Sequence, residues 1–330
     1  LEHGHGAGPV TAVTARARRP ASRPRHLLSS ADLGPDGQER VLALAAALRR
    51  GRHAGRAPGH GLEGRMVAML FEKPSLRTRV TFDAGITALG GHAIYLGPDE
   101  VGIGRRETAT DVARNLVRWV DAIVFRTFAH TTLVELAEAS SVPVINALSD
   151  LEHPCQALAD MLTLAGRLGS LRGRRLAFIG DGNNVCHSLL LAGSNAGLRL
   201  SVATPPGYEP SPIVVRDALE LARRSGGSVE IGTDPRAAVA GADAVYTDTW
   251  TSMGAEAEAD LRRIRFAGYR VDAALLAGAP DALVMHCLPA HRGEEISDEA
   301  LDGPPSVVLD QAENRLYVQQ ALLLDLLEAS

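Results

Sequence analysis

The sequence has few aromatic residues, few cysteines and no long apolar run. Phe, Trp and Tyr make up only 4 % of 330 residues, too few to support a reading built on stacked bases. The formal net charge of -5 gives no global basic field for a nucleic acid. No apolar run is long enough to span a bilayer. The three cysteines, Cys155, Cys186 and Cys287, cannot all pair with one another and show no CxxC spacing, so free thiols in a reducing compartment are expected. What remains is an ordinary globular composition, 45 % hydrophobic and 22 % charged, in a chain long enough for two domains.

Residues 1–26 are rich in Ala, Arg, Gly and Pro, with Glu2 as the only acid. They are expected to be a disordered extension or an expression remnant. A transit-type peptide and a polyanion-binding arm are the alternatives. Beyond them, strand and helix patterns alternate. Ser30 or Asp32 is expected to cap a first helix carrying Val41, Leu42, Leu44, Ala45 and Leu48 on one face. MVAMLFE (66–72) reads as a buried strand, followed by a helix from Thr78 to Leu89. HAIYLG, AIVFR and VPVINAL continue the strand pattern, with helices between them. HPCQALADMLTLAGRLG opens another helix, with Pro154 suited to its first turn. After Gly173 the alternation restarts with RRLAFIG, LRLSVATP, SVEIGT, ADAVYTD and ALVMHCLP. A final helix is expected from Glu313 to Leu327. The fold class is therefore α/β, two domains each with a central parallel sheet flanked by helices. The active site is expected in the crevice between them, at the carboxyl ends of the strands. The expected divisions are 27–160 plus the C-terminal helix (313–330), and 161–312.

Several segments can carry chemistry at those strand ends. Ser75-Leu76-Arg77-Thr78-Arg79 lies at a strand-to-helix turn, where free N–H groups, two hydroxyls and an arginine fork form a phosphate cradle. The alternative is a Ser-capped helix with solvated arginines. The GxxxxGK[ST] phosphate loop is absent. Arg126 closes the third strand, and His153 and Gln156 open the following helix. A histidine donor beside an amide suits a small carbonyl group. Strand-end pairing and helix capping are the bland readings of these residues. GDGNN (180–184) is a poor dinucleotide fingerprint, because Val185 replaces the next glycine and the following strand ends without an acid. Its two asparagines suit a polar, zwitterionic ligand. Asp248 and the loop Ser252-Met253-Gly254 follow another strand, as do His286 and Cys287. Metal chelation by His286, Cys287 and His291 lacks a second cluster. A nucleophilic cysteine and a buried small hydrophobe are the other two readings of Cys287.

Taken in order, FEKPSLRTR, VFRTF, HPCQALAD, GDGNN, YTDTWTSMG, HCLPAHRGEE and AENR closely resemble the ornithine branch of the aspartate/ornithine carbamoyltransferase family, from about Arg25 to the C-terminus. The resemblance implies transfer of a carbamoyl group from carbamoyl phosphate to L-ornithine, giving L-citrulline and phosphate, with no metal or organic cofactor; the alternatives are a carbamoyltransferase for another amine (putrescine, lysine or N-acetylornithine) and a non-catalytic ligand-binding paralogue. It implies a homotrimer, or an assembly of trimers, with active sites at subunit contacts, and no nucleic-acid or membrane partner. A cytoplasmic setting in arginine biosynthesis is expected, or the mitochondrial matrix if the first residues are a transit peptide. By the family pattern Ser75, Leu76 (through its backbone), Arg77 and Thr78 hold the phosphate, and Arg315 also faces carbamoyl phosphate. Arg126, His153 and Thr78 surround the carbamoyl oxygen, and Gln156 faces its nitrogen. Asn184, Asp248, Ser252 and Met253 hold the amino-acid end of ornithine. Asp248, Cys287 and the Leu288 carbonyl aim its side-chain amine. The assigned catalytic group is Arg126, His153, Cys287 and Asp248. Two positions depart from the pattern. Leu76 stands where many members have Thr, and Gly102 stands where many have a glutamine that reaches a neighbouring subunit's phosphate. Arg105 or Arg106 is the expected substitute there.

Overall fold

The computed structural model describes residues 25–251 and 256–328. Two all-parallel sheets organise the chain. The first follows α1 (Gly34–His53) and contains β1 (Met66–Phe71), β2 (His92–Leu96), β3 (Ala122–Arg126) and β4 (Val144–Leu148). Its helices are α2 (Leu76–Ala88), α3 (Pro98–Val101), α4 (Ala109–Leu116) and α5 (His130–Glu138). Helix α6 (Pro154–Leu168) leads to the second sheet, β5 (Arg175–Ile179), β6 (Arg199–Ala203), β7 (Ser228–Gly232), β8 (Ala244–Thr247) and β9 (Leu283–His286). Helices α7 (Asn184–Asn195), α8 (Pro212–Ser225), α9 (Pro235–Val239), α10 (Ala259–Phe266), α11 (Ala273–Leu276), α12 (Asp298–Asp302) and α13 (Val308–Glu328) complete it.

The central strands are apolar and buried on both faces, as parallel strands covered by helices must be. Strand order is β2-β1-β3-β4 in one sheet and β7-β6-β5-β8-β9 in the other. The order reverses between β1 and β3 in the first and between β5 and β8 in the second. Such switch points open a crevice beyond the carboxyl ends of the strands. Phe71 pairs with Arg126 at one of them, and Ile179 with Thr247 at the other. These ends feed directly into the 73–78, 181–184 and 248 segments. The fold therefore delivers the chemistry-bearing turns to two facing crevices.

Helix α13 joins the first core. Tyr317, Val318, Leu322 and Leu326 pack with Val41 of α1, Phe82 and Ile86 of α2, and Leu158 of α6. It begins at Val308, five residues before the expected start, and this places Gln311 on its first turns. Helix α2 likewise begins at Leu76, ahead of the expected Thr78, because Ser75 caps it by accepting from the Thr78 N–H. The expected cap of α1 does not form. Asp32 instead accepts from the N–H groups of Leu28 and Ser29, and the helix starts after Leu33 with Pro35 in its first turn. Arg25 pairs with Asp325, and His26 accepts from the Val144 N–H. Residues 1–24 lie outside the described chain.

Candidate active site

A cleft of about 660 Å³ lies where the two crevices meet. Ser75, Leu76, Arg77, Thr78, Arg126, His153, Gln156, Asn184, Asp248, Cys287, Leu288 and Arg315 all line it. Ser252 and Met253 lie outside the described residues. Lys73, Leu148, Thr249, Arg263 and Glu294 also line the cleft and escaped the sequence reading; His291, which that reading weighed only as a metal ligand, lines it too. Lys73 sits inside the FEKPS segment, and its ammonium stacks 4.3 Å over the Phe128 ring.

One wall is cationic. Thr78, at the start of α2, is buried and accepts from Arg315 Nη2 at 2.6 Å. Arg315 Nη1 donates to Gln156 Oε1 at 2.6 Å. Neither Arg77 nor Arg126 forms an ion pair with a described carboxylate. Burial lowers the Arg77 pKa. Burial, with repulsion from Arg315 and Arg77, pulls Arg126 down to about 10. Buried like charges at this spacing are stabilised by an anion held among them. Arg126 Nε, Arg315 Nε and His153 Nδ1 are buried and meet no protein partner. Burial and the charges of Arg315, Arg126 and Arg77 drive the His153 pKa well below its ordinary value. His153 is therefore neutral, and a neutral imidazole can donate one N–H. Arg79 has a different role, with its guanidinium 3.6 Å over the Tyr95 ring.

The other wall is acidic and polar. Asp248 Oδ1 accepts from the Cys287 thiol at 3.0 Å and from the Thr249 N–H at 2.8 Å. Its Oδ2 accepts from Asn183 Nδ2 at 2.7 Å. Asn183 Oδ1 also caps α7, while Asn184 donates to the Ser149 carbonyl at 2.6 Å. The GDGNN turn is thus built for Asp248 and the helix start. A Cβ on Gly182 would lie 2.3 Å from Pro210 N, so close backbone packing requires that glycine.

Burial and Asp248 push the Cys287 thiol well above its ordinary value. It is a donor rather than a thiolate, which disfavours a nucleophilic role. Asp248, His286 and Cys287 bring ligand atoms within 4.8 Å of one another. However, His286 Nδ1 accepts from the Leu288 N–H, and Nε2 faces Glu295. Both ring nitrogens are therefore engaged. Leu288 is the one non-glycine described residue with positive φ, 58°, a conformation costing about 1–3 kcal/mol and typical of sites where backbone direction matters. All three cysteines are free.

The segment after Asp248 is anchored by Arg262, which stands outside every motif. Arg262 Nη1 donates to Asp181 Oδ2 at 2.7 Å and to the Trp250 carbonyl at 2.9 Å. Its Nε donates to Glu258 at 3.1 Å. Burial raises Asp181 to about 6, against the opposing pull of Arg262. At the other departure, Gly102 adopts φ 57°, and the Arg106 stem lies 3.0 Å from the site of a Cβ there. Arg106 thus fills space that a side chain at 102 would enter.

Comparison with known proteins agrees with this geometry. The carbamoyl-phosphate-binding domain model of the aspartate/ornithine carbamoyltransferases matches residues 25–166, and their Asp/Orn-binding domain model matches residues 172–326. An ornithine carbamoyltransferase from Acidothermus cellulolyticus is 54 % identical over 93 % of this chain and 97 % of its own. One from Methanocorpusculum labreanum is 50 % identical over 92 % and 98 %. The solved ornithine carbamoyltransferase of Pyrococcus furiosus superposes with a TM-score of 0.88 at 47 % identity, covering 91 % of this chain and 96 % of that one. With both halves matched and the cleft lying between them, the chain belongs to the aspartate/ornithine carbamoyltransferase family.

Proposed function

We propose that the chain transfers the carbamoyl group of carbamoyl phosphate to the side-chain amine of L-ornithine, releasing L-citrulline and phosphate. The observation that carries this reading is the convergence of Arg77, Arg126 and Arg315 on one side of a cleft whose other side holds Asp248. A dianion suits the first wall and a cationic amino acid the second.

The carbamoyl-phosphate half is assigned to residues 27–160 with the C-terminal helix, and the ornithine half to 161–312; the packing of α13 in the first core supports giving that helix to the first half, whereas the matching family models run over 25–166 and 172–326. Ser75, Thr78, Arg77 and the N–H groups at the start of α2, including that of Leu76, hold the phosphate, with Arg315 beside them. The Leu76 side chain is 75 % exposed, which suits a backbone role. Arg126, His153 and Thr78 surround the carbamoyl oxygen, and Gln156 faces the nitrogen. Amine attack on the carbamoyl carbon forms a tetrahedral centre and moves negative charge onto that oxygen. Prearranged donors there act as an oxyanion hole, each worth about 10²–10³ in rate. Collapse expels phosphate, which carries away the amine proton.

Asn184 and Asp248 hold the amino-acid end of ornithine, and Ser252 and Met253 are assigned there by the family pattern. Asp248, Cys287 and the Leu288 carbonyl orient the side-chain amine. That amine must attack in its neutral form, yet a lysine-like amine titrates near ~10.4. The site therefore selects or generates the neutral form, with Cys287 and Asp248 orienting it and the departing phosphate taking the proton.

The assembly expected from the family is a homotrimer or an assembly of trimers, and Val80 and Trp119 are exposed apolar side chains available to a subunit contact. The expected setting is cytoplasmic arginine synthesis. No described helix is long and apolar enough to cross a membrane, and rescue of an arginine auxotroph tests the pathway. Equal release of citrulline and phosphate from the two substrates tests the reaction. Phosphate release without citrulline contradicts it.

A further inference from the structure

We infer that Asp160, a positioning residue remote from the reacting atoms, fixes the amide polarity of Gln156 and so makes the site select a carbamoyl over an acyl phosphate. The inference rests on the reading that Gln156 faces the carbamoyl nitrogen.

Gln156 is 1 % exposed and held at both ends. Its Nε2 donates to Asp160 Oδ1 at 2.8 Å, and its Oε1 accepts from Arg315 Nη1 at 2.6 Å. A guanidinium can only donate, and an ionised carboxylate can only accept. Turning the amide over would set N–H against N–H at one end and oxygen against oxygen at the other. The chemistry of the two neighbours therefore dictates which end of the amide is oxygen.

Asp160 is wholly buried and accepts three hydrogen bonds from three elements. Besides Gln156 of α6, Gln311 Nε2 of α13 donates to Oδ1 at 2.9 Å, and the Tyr246 hydroxyl of β8 donates to Oδ2 at 3.1 Å. Gln311 is fixed in turn, because its Oε1 accepts from the His286 N–H at 3.0 Å. The charged and titratable groups facing Asp160 are Arg315, Tyr246 and Cys287. Burial raises its carboxyl to about 6, while the three donors and Arg315 oppose that rise. At pH 8 it is an acceptor only.

The consequence falls on the substrate nitrogen. A carbonyl oxygen has two lone pairs. Arg315 takes one on Gln156 Oε1, and the other is left for an N–H of the carbamoyl group. A methyl group in that place cannot use it, and a buried acceptor left unpaired is costly. Arg315 is also claimed by Thr78 and by the incoming phosphate. Asp160 Oδ1 also accepts from Gln311, but a carboxylate oxygen has room for two donors, so the Asp160 bond keeps the amide oriented throughout.

The test compares carbamoyl phosphate, acetyl phosphate and inorganic phosphate by calorimetric titration at pH 8, using the full chain. The variants are Asp160→Leu, which removes the acceptor with the same branched skeleton, and Asp160→Asn, which keeps an oxygen toward Gln156 and Gln311. In Asp160→Leu, carbamoyl phosphate is expected to weaken about tenfold or more, with acetyl phosphate and phosphate within about threefold. Asp160→Asn is expected to keep the wild-type preference within about threefold, since its oxygen can still accept. Equal weakening of all three ligands in Asp160→Leu, or an unchanged carbamoyl-to-acetyl ratio, overturns the inference. If Asp160→Leu does not fold, Asp160→Asn decides it: preference kept agrees, preference lost overturns. Citrulline formation by the unaltered enzyme tests the underlying reading separately.

Discussion

The Cys287 thiol donates to Asp248 Oδ1 across 3.0 Å, joining the ends of β8 and β9 at the lip of the cleft. Asp248 raises the thiol pKa while the thiol helps to hold the carboxylate in place. A change to either residue therefore reaches the ornithine side first.

Cys287→Ser is expected to lower kcat/KM for ornithine about 5- to 100-fold, the range for a disturbed, partly buried hydrogen bond to a charged group, with carbamoyl phosphate binding unchanged. The native thiol should alkylate with iodoacetamide at pH 8.5 at least about tenfold more slowly than free cysteine, whose pKa is near ~8.5. Mass spectrometry of the modified peptide measures this. Rapid alkylation would mean a thiolate and return the nucleophilic reading.

Between pH 6 and 9, kcat/KM for ornithine should rise about tenfold per unit, because the neutral amine fraction does so below its pKa. His153 is already neutral in this window, so it adds no limb. A flat profile would contradict selection of the neutral amine.

His153 also affects stability. Its folded pKa lies well below its ordinary value, so between the two the unfolded chain binds more protons. Stability from this group is fully present above about pH 6.5 and is lost as the pH falls toward the folded pKa. His153→Gln should therefore lose less melting temperature than the native chain between pH 7.5 and 5. Differential scanning calorimetry at the two pH values checks the sign. An equal loss would place a charged histidine in the folded state.

Much of this site was legible because parallel strands announce themselves. MVAMLF and AIVF are uninterrupted apolar runs, and the described family-pattern residues sit at the end of such a run, in the turn or first helical turn after it, or on α6 or α13. Helix starts were less legible. α13 opens at Val308 rather than Glu313, because Val308 packs in the core of the second sheet and Gln311 is held by Asp160 and the His286 N–H. The short helices α3, α10, α11 and α12 span 4, 8, 4 and 5 residues, too few for a clear period. The Asp160–Gln311–Tyr246 cluster was not readable at all. Its members lie up to 151 positions apart and meet only through the fold. Arg262 was missed for the same reason, since its partner Asp181 is 81 positions away.

Arg262→Ala should raise the ornithine KM about tenfold or more, with little change for carbamoyl phosphate, because Arg262 ties Asp181 to the Trp250 carbonyl beside the ornithine wall. Both partners of the ion pair are nearly buried. Leaving Asp181 uncompensated should destabilise the chain by about 3 kcal/mol. Steady-state kinetics and urea unfolding read the two effects. An unchanged ornithine KM would reduce Arg262 to a structural tie.

The most direct measurement is product formation from carbamoyl phosphate with ornithine, putrescine, lysine, N-acetylornithine and aspartate side by side. The account predicts rapid citrulline formation from ornithine and little turnover of the others, with Leu76 and Gly102 tolerated. Preferred turnover of another amine, or of none, would contradict it.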